Sequence, residues 1–538
     1  MGDFDYIVVG AGSAGCVLAR RLSDDPSNRV LLVEAGGTNQ SMLVKMPAGF
    51  ARIMGRPDYY WSFPVAPQPG RRSERISYGR GLGGSSAANG MWYLRGHPRD
   101  FDGWRAMGLP SWGWEAIAKA YRQIEDYGDP RADASRGQGG PLQVTGSTYR
   151  SEVFDAIVAA CQQVGLPWTD DINAPGAEGV GRTQYTVDRS GQRASAYEAF
   201  VAPVRTRPNL AIVTDCEVRR IVIDGGRAVA IECERGGATV RYGARREVVV
   251  SAGVCKSPQL LMLSGIGPGA HLSQHGIPVQ RDLPAVGENW CDHQKLGISY
   301  DLHNHPGINR EFIGWRLYRN ALRYLLTGTG PMTRVGMPVT MLVSGEGEAG
   351  WPDMQLGATP FAMRTVKEMA AHPGSPISGK PGITFAGFHL RPKGRGTVRL
   401  GSGDFRDPPR VDPRFWSDEA DQRKALEMFH MLRRIARAGA LSRYVGAERQ
   451  PSAGLQSDHE IIDALRDLTD PGLHGTGTCS MGTDPARSVV DDACRVHGVA
   501  GLRVVDCSIM PAPVSSGTNG PAMAIGQRAS ELILSTRQ

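Results

Sequence analysis

The first 34 residues contain the sequence feature that most restricts the fold. An apolar run at residues 6–9 leads into the turn Gly10-Ala11-Gly12-Ser13-Ala14-Gly15, a helical stretch at 14–23 and a second apolar run at 29–33 that ends at Glu34. This order predicts a β-α-β unit whose glycines let the backbone approach a pyrophosphate at the helix N-terminus. Glu34 is expected to accept hydrogen bonds from an adenosine ribose. A dinucleotide site therefore explains the turn better than a plain glycine-rich loop.

Two later segments have the same strand signature. Residues 247–250 precede Ser251, and residues 502–505 precede Asp506. We expect both to join the first two strands in one parallel sheet assembled from distant parts of the chain. The glycine turn alone does not distinguish FAD from NAD, because the two cofactors share the adenosine half.

Composition excludes several classes of protein. The 538 residues carry a net charge of +7 with no block of like charges, which disfavours a nucleic-acid-binding arm. Nine scattered cysteines without a CxxC spacing disfavour a zinc site and a disulfide framework, and no metal site is expected. The sequence has no secretory signal and no apolar run long enough to span a membrane, so a cytoplasmic enzyme without a transmembrane segment is expected.

The pattern of predicted helices and strands changes at residues 295–465. Helices are predicted at 311–326 and 421–438, and strands at 385–390 and 397–400 on either side of a glycine turn. We expect this α+β region to be a second domain, inserted between residues 1–294 and 466–538, with part of 140–205 as a candidate to join it. The helix at 311–326 is basic, and a solvated surface is its expected role in preference to lipid contact.

Further motifs connect the chain to a known family. The run GRGLGGSSAANGMWYLRG from Gly79 and the run from Ser251 to Pro268 resemble the two signatures of the glucose–methanol–choline (GMC) flavin oxidoreductases. The resemblance continues through Asp292-His293, residues 391–400, His474 to Gly482 and residues 505–521, and it is weakest at 300–380. The chain is most similar to the bacterial alcohol, choline and L-sorbose dehydrogenase branch. The resemblance implies an α/β fold with a discontinuous Rossmann-like FAD-binding domain and an inserted α+β substrate domain on an antiparallel sheet.

The resemblance also implies which residues bind FAD. They belong to the glycine turn, to the loop that follows Gly79 and to three later segments: Gly10, Gly12, Ser13, Ala14, Gly15, Glu34, Ala35, Arg80, Gly81, Gly84, Ser85, Asn89, Gly90, Met91, Val218, Ala252, Gly253, Asp506, Asn519 and Pro521. Members with covalently attached FAD often carry a histidine two residues beyond the paired serines. Ala88 occupies that position here, so the FAD is expected to be non-covalent.

Alcohol oxidation requires a base for the hydroxyl proton while flavin N5 accepts the hydride. Histidine suits this task because its ordinary pKa is about 6.5. His474 lies in a glycine-threonine loop where the family has its catalytic histidine, and Asn519 matches the asparagine variant of the position that orients the alcohol. The expected reaction is the oxidation of a primary alcohol to an aldehyde, with His474 as the base.

Several alternatives remain open at this point. A hydroxynitrile lyase-like enzyme would use FAD structurally, and a non-catalytic FAD-binding protein would lack a base near the flavin. A nicotinamide dehydrogenase is disfavoured by the two internal signatures. An alcohol oxidase would pass its electrons to oxygen, whereas a dehydrogenase would use a quinone or dye-like acceptor. The sequence does not identify which small alcohol is the substrate.

Overall fold

The computed structural model describes residues 3–68, 70–71, 74–333, 336–364, 368 and 377–535. Its first sheet has seven strands and combines segments from both ends and the middle of the chain. The parallel strands run in the order Leu210–Val213, Val30–Val33, Phe4–Val9, Ala238–Val250 and Leu502–Val504. Strands Arg227–Arg235 and Cys216–Asp224 extend it by antiparallel pairing. The predicted assembly of one parallel sheet from distant segments is confirmed.

Helix Ser13–Leu22 covers this sheet because its small and apolar side chains are buried against the strands. The C-terminal helix Asn519–Ser535 packs on the same helix. A Cβ on Gly526 would lie 2.8 Å from the carbonyl oxygen of Ala14, so the two helix backbones touch closely. The two ends of the chain therefore meet beside the glycine turn.

A second seven-stranded sheet is antiparallel throughout. Its strands are Val445–Gln450, Gln294–Leu302, Gly382–His389, Met354–Thr359, Val339–Val343 and Gly179–Arg182, with the short Asp470–Pro471 beside Gln294–Leu302. Helix Glu419–Ala436 packs on this sheet and contributes Met428 and Phe429 to a separate hydrophobic core. The fold is thus an α/β sheet combined with an antiparallel α+β sheet, as predicted.

Two local predictions need correction. The strands on either side of the turn at 393–396 both form, but Thr397–Arg399 pairs with Arg410–Asp412 and not with Gly382–His389 across the turn. The backbone of Gly396 bonds to Trp290, which directs the chain away from strand Gly382–His389. The helix predicted at 311–326 is divided into a 3-10 turn, Asn309–Phe312, and helix Gly314–Thr327, because Gly314 has a φ of +56°.

The remaining elements are short or peripheral. The other α-helices are Met42–Lys45, Phe50–Ile53, Pro98–Ala106, Trp114–Ile124, Glu152–Gln163, Gly253–Leu263, Gly269–Gln274 and Asp458–Leu468. Four two-stranded ladders join Tyr60–Pro64 to Arg75–Gly79, Glu125–Asp126 to Leu142–Gln143, Thr145–Gly146 to Gln184–Tyr185, and Ile266–Gly267 to Arg281–Asp282. Across the described ranges, no helix has the length and apolar character needed to cross a membrane. The same ranges contain no histidine, cysteine and carboxylate cluster that could hold a metal ion.

Candidate active site

The candidate site lies at the carboxyl edge of the parallel sheet. Gly10, Glu34, Ser251 and Asp506 follow the ends of strands of this sheet, and open α/β sheets bind ligands at this edge. Gly10 has a φ of +99°, and a Cβ there would lie 2.4 Å from the carbonyl oxygen of Ser251. Only glycine fits this turn, because both the backbone angle and the neighbouring strand exclude a side chain.

Glu34 connects the glycine turn to the loop that follows Gly79. Its carboxylate is 6% exposed and accepts hydrogen bonds from the backbone N–H groups of Ala11 at 2.9 Å, Gly36 at 2.9 Å and Gly81 at 3.0 Å. Burial raises the pKa of Glu34, and the three donors act in the opposite direction. Glu34 therefore has a structural role that the sequence did not reveal, and its contact with a ribose stays a prediction.

The loop after Gly79 lies directly on the glycine turn. Gly84 has a φ of +51°, and a Cβ there would lie 2.8 Å from the Cα of Gly12. Arg80 donates to the carbonyl oxygen of Ala35 at 3.1 Å, and the hydroxyl of Ser85 accepts from the N–H of Gly79 at 3.0 Å. The predicted cofactor residues of these two segments therefore lie together.

A buried arginine fixes the far end of this loop. Asn89 Oδ1 accepts hydrogen bonds from the N–H of Met91 at 3.0 Å and from Arg193 Nη1 at 2.9 Å. Arg193 is 2% exposed and also donates to the carbonyl oxygens of Val44 and Ser86, and burial lowers its pKa to about 10. Sequence reasoning missed Arg193, because it lies outside every motif and some hundred residues from its partners.

Asp506 joins the last parallel strand to helix Gly253–Leu263. Its Oδ2 accepts from the N–H of Gly253 at 2.9 Å and from the Ser257 hydroxyl at 2.6 Å. Ala252 is the N-cap of that helix, and Val218 lies on strand Cys216–Asp224. A Cβ on Gly253 would meet nothing within 4 Å, so there is open space at this helix end.

Asn519, the first residue of the C-terminal helix, contacts the glycine turn. Its Oδ1 accepts a hydrogen bond from the Ser13 hydroxyl at 2.8 Å, and its buried Nδ2 has no protein partner among the residues that the structure describes. Pro521 is buried two residues further along the same helix. An unpartnered buried donor requires an acceptor, and the open space near Gly253 together with the glycine surfaces fits a dinucleotide such as FAD.

His474 lies beneath the antiparallel sheet. Its Nδ1 is 3.1 Å from His293 Nδ1, and its ring centre is 5.1 Å from that of Phe388. A Cβ on Gly517 would lie 3.1 Å from His474 Nε2. Gly517 therefore lies against this nitrogen. Asn519, which was predicted to orient the alcohol together with His474, has its side-chain oxygen bonded to Ser13.

Asp292 holds the backbone of the His474 loop. It is buried, and its oxygens accept from the N–H of Leu473 at 3.0 Å and of His474 at 2.7 Å. Leu473 has a φ of +63°, a left-handed conformation that non-glycine residues adopt only when their surroundings impose it. Burial raises the pKa of Asp292 to about 7 against the effect of these donors. The resemblance drew attention to Asp292-His293, but the sequence did not assign either residue a role.

Burial favours the neutral form of both histidines. Burial lowers the pKa of His474 well below its ordinary value, and repulsion from His293 and Lys295 acts in the same direction. Burial also lowers the pKa of His293 to about 4. Two neutral rings that share an Nδ1–Nδ1 contact require one donor and one acceptor. If His474 is the donor, its Nε2 keeps a lone pair.

The antiparallel sheet supplies the opposite wall. Lys295, Phe388 and Gln355 are paired in one row of this sheet. Lys295 Nζ is 3.7 Å from a carboxylate oxygen of Asp470. The Trp92 ring centre is 6.1 Å from that of Phe388. This wall therefore presents aromatic rings and a lysine that is already paired with a carboxylate.

Comparison with known proteins agrees with this geometry. An oxygen-dependent choline dehydrogenase of Brucella ovis is 36% identical over 540 residues, covering 99% of this chain and 96% of that protein. A protein of the same name from Burkholderia vietnamiensis is 36% identical over 542 residues, with 99% and 93% covered.

Solved structures show the same architecture over the whole chain. Pyridoxine 4-oxidase from Mesorbium loti superposes with a TM-score of 0.87 at 28% identity, covering 98% of this chain and 99% of that chain. A formate oxidase variant from Aspergillus oryzae RIB40 gives 0.91 at 25% identity, with 99% and 98% covered. The family profile described as GMC oxidoreductase matches residues 4–295 and 392–526. The chain therefore belongs to the GMC oxidoreductase family, and it is a flavoprotein-type oxidoreductase acting on CH–OH donors.

Proposed function

We propose that this enzyme oxidises a primary alcohol to an aldehyde and that His474 is the base that takes the hydroxyl proton. The observation that carries this proposal is the environment of His474 Nε2. The nitrogen belongs to a ring that is neutral at pH 7, and the residue beside it, Gly517, has no side chain. A hydroxyl group has room to approach a lone pair at this position.

FAD, when bound without a covalent link, supplies the acceptor for the hydride. The glycine turn and the loop after Gly79 would hold it, and Asn519 Nδ2 would donate to it. Ala88 is buried and has no nucleophilic atom, which supports non-covalent attachment. The domain division predicted from the sequence, with residues 295–465 as the substrate domain, agrees with the position of most strands of the antiparallel sheet.

The proton moves to His474 because two neighbours prepare it. Asp292 fixes the loop backbone through the N–H groups of Leu473 and His474. His293 accepts the Nδ1–H of His474, which leaves the lone pair on Nε2. In many enzymes a second group orients the catalytic imidazole and selects its tautomer. His293 would have this role towards His474.

The charges near the site favour an alcohol without a cationic group. The relatives from Brucella ovis and Burkholderia vietnamiensis are named for choline, a quaternary ammonium alcohol. Here Asp292 is engaged by backbone donors, and Asp470 is paired with Lys295. The aromatic rings of this wall would attract a quaternary ammonium group. Lys295 would repel it, and neither Asp292 nor Asp470 would offer it an unpaired carboxylate. We propose neutral aliphatic or aromatic alcohols as the substrate class.

The test is anaerobic reduction of the bound flavin by a panel of alcohols. We expect 1-butanol or benzyl alcohol to bleach the flavin faster than choline, and subsequent addition of oxygen or a quinone identifies the acceptor. A cyanohydrin that is cleaved without flavin bleaching would instead indicate a hydroxynitrile lyase. Bleaching by choline alone would refute the proposed substrate class and leave the role of His474 intact.

A further inference from the structure

Helix Gly314–Thr327 exposes an unusual amount of apolar surface. Eleven large hydrophobic residues are exposed in the described part of the chain, and five of them lie on this helix. They are Trp315 at 66%, Tyr318 at 76%, Leu322 at 57%, Leu325 at 56% and Leu326 at 75% exposure. At 3.6 residues per turn, their positions fall within an arc of about 100°. These five side chains, here named the apolar stripe, form one continuous outward face.

The other side of the helix is firmly anchored. Tyr324 is 4% exposed and belongs to a small core with Met46 and Met332. Asn320 is buried and donates to the backbone carbonyl of Glu311 at 3.0 Å. The helix is thus held to the protein by one face while the apolar stripe points away from it. A surface helix usually turns its apolar side chains towards the core, whereas this anchored helix exposes five large ones.

Arginines border the apolar stripe. Residues 310–327 contain Arg310, Arg316, Arg319 and Arg323 but one acidic residue, Glu311, so their net charge is +3. Glu311 lies 3.7 Å from Arg316 and 3.4 Å from Arg319, and the Arg319 guanidinium stacks 4.9 Å from the centre of the Trp315 ring. The helix combines Trp, Tyr and Leu on one arc with cationic groups beside it.

We propose that helix Gly314–Thr327 docks this protein onto a membrane surface that contains anionic lipids, with the apolar stripe entering the boundary between headgroups and acyl chains. Apolar and aromatic side chains beside arginines are the pattern of helices that lie in that plane. Anionic headgroups complement the four arginines, and each basic residue near such a surface strengthens binding. A second copy of the chain would bring the same positive face against itself, which opposes self-association.

This inference does not depend on the proposed catalytic function. The test uses the FAD-loaded enzyme in flotation with vesicles of phosphatidylcholine alone and of phosphatidylcholine with phosphatidylglycerol. We expect flotation with the anionic vesicles and its loss at high salt. The double substitution L322Q/L326Q is expected to lower the partition coefficient at least tenfold, and R319Q/R323Q is expected to do so at low salt. M54Q, which changes an exposed residue elsewhere, serves as the matched control with unchanged binding.

The variants change exposed side chains, so flavin content and thermal unfolding are expected to match the unmodified enzyme. Flotation of L322Q/L326Q equal to that of the unmodified enzyme would overturn the proposal, as would equal binding to neutral and anionic vesicles. Light scattering after size-exclusion chromatography tests the main alternative, in which a second copy of the chain binds the apolar stripe. A dimer that L322Q/L326Q converts to a monomer, together with absent flotation, would show that a second copy occupies the stripe instead.

Discussion

His293 offers a sharp test of how the site prepares its base. The substitution His293→Leu removes the Nδ1 atom that lies 3.1 Å from His474 Nδ1. Asparagine is the matched variant, because its Oδ1 takes nearly the same position and accepts the same hydrogen bond. The backbones of Leu390 and Val514 also interact with the buried His293 ring, because both raise its pKa against the effect of burial. Thermal unfolding of each variant is therefore compared with that of the unmodified enzyme.

The expected effect follows from the lost hydrogen bond. A neutral hydrogen bond contributes about 0.5–1.5 kcal/mol, and 1.4 kcal/mol corresponds to about tenfold in rate. Without its acceptor, His474 also exchanges freely between tautomers, and one of them has no lone pair on Nε2. We expect His293→Leu to slow flavin reduction by about tenfold or somewhat more, and His293→Asn to remain within about threefold of the unmodified enzyme.

The assay is anaerobic stopped-flow reduction of flavin-saturated enzyme at several alcohol concentrations. The limiting rate constant is expected to fall in His293→Leu, while the apparent dissociation constant of the alcohol and the flavin content stay constant. Equal rates for His293→Leu and the unmodified enzyme would refute tautomer control by His293. Equal impairment of the leucine and asparagine variants would refute it as well, because the acceptor is retained in only one of them.

Four further outcomes are expected. His474→Ala should slow flavin reduction by about 10²- to 10⁴-fold with FAD retained. His459→Ala, at an exposed position, is the control and should not change the rate. A rate for His474→Ala within about threefold of the unmodified enzyme would show that His474 is not the base. Gly517→Ala should slow reduction at least about tenfold, because its methyl group would lie 3.1 Å from His474 Nε2; an unchanged rate would place the hydroxyl elsewhere. Acid precipitation should release the flavin into the supernatant, and flavin left in the pellet would show a covalent link. His389 has its pKa lowered to about 3 by burial, so the unfolded chain binds a proton there below pH 6.5 and stability falls as the pH falls towards 3. His389→Gln should therefore gain about 1.4 kcal/mol relative to the unmodified protein per pH unit below 6.5, measured by urea unfolding at pH 7.5 and 5.0, and a pH-independent difference would contradict this reasoning.

The features that could be predicted from sequence are local ones. The turn at Gly10–Gly15 and the acid at Glu34 lie within one β-α-β unit, where backbone sterics and residue spacing determine the structure. Strands at 247–250 and 502–505 were recognisable because buried parallel strands are mostly apolar. Glu247 and Arg503 are the exceptions, and they form an ion pair with each other. These patterns require no knowledge of the rest of the chain.

The features that were missed depend on long-range packing. His293 and His474 are 181 positions apart, and no local pattern reports that their rings meet. Sequence spacing also did not reveal that Gly517 lies against His474 Nε2, because the path of the loop before the C-terminal helix decides this contact. The pairing of Thr397–Arg399 likewise depended on Trp290, a residue more than a hundred positions earlier. Tertiary contacts settled each of these points.

The composition of the parallel sheet has a consequence for how the protein is made. Strand Leu502–Val504 and helix Asn519–Ser535 are translated long after the first strand and the first helix, yet the strand joins the same sheet and the helix packs on the first helix. Until they arrive, helix Ser13–Leu22 lacks the partner that covers it, and Ser13 lacks its bond to Asn519. The nascent amino-terminal segment therefore keeps apolar surface uncovered until these two segments have been translated. A chain that stops short of residue 502 lacks both Asn519, the partner of Ser13, and Asp506, which bonds to the start of helix Gly253–Leu263.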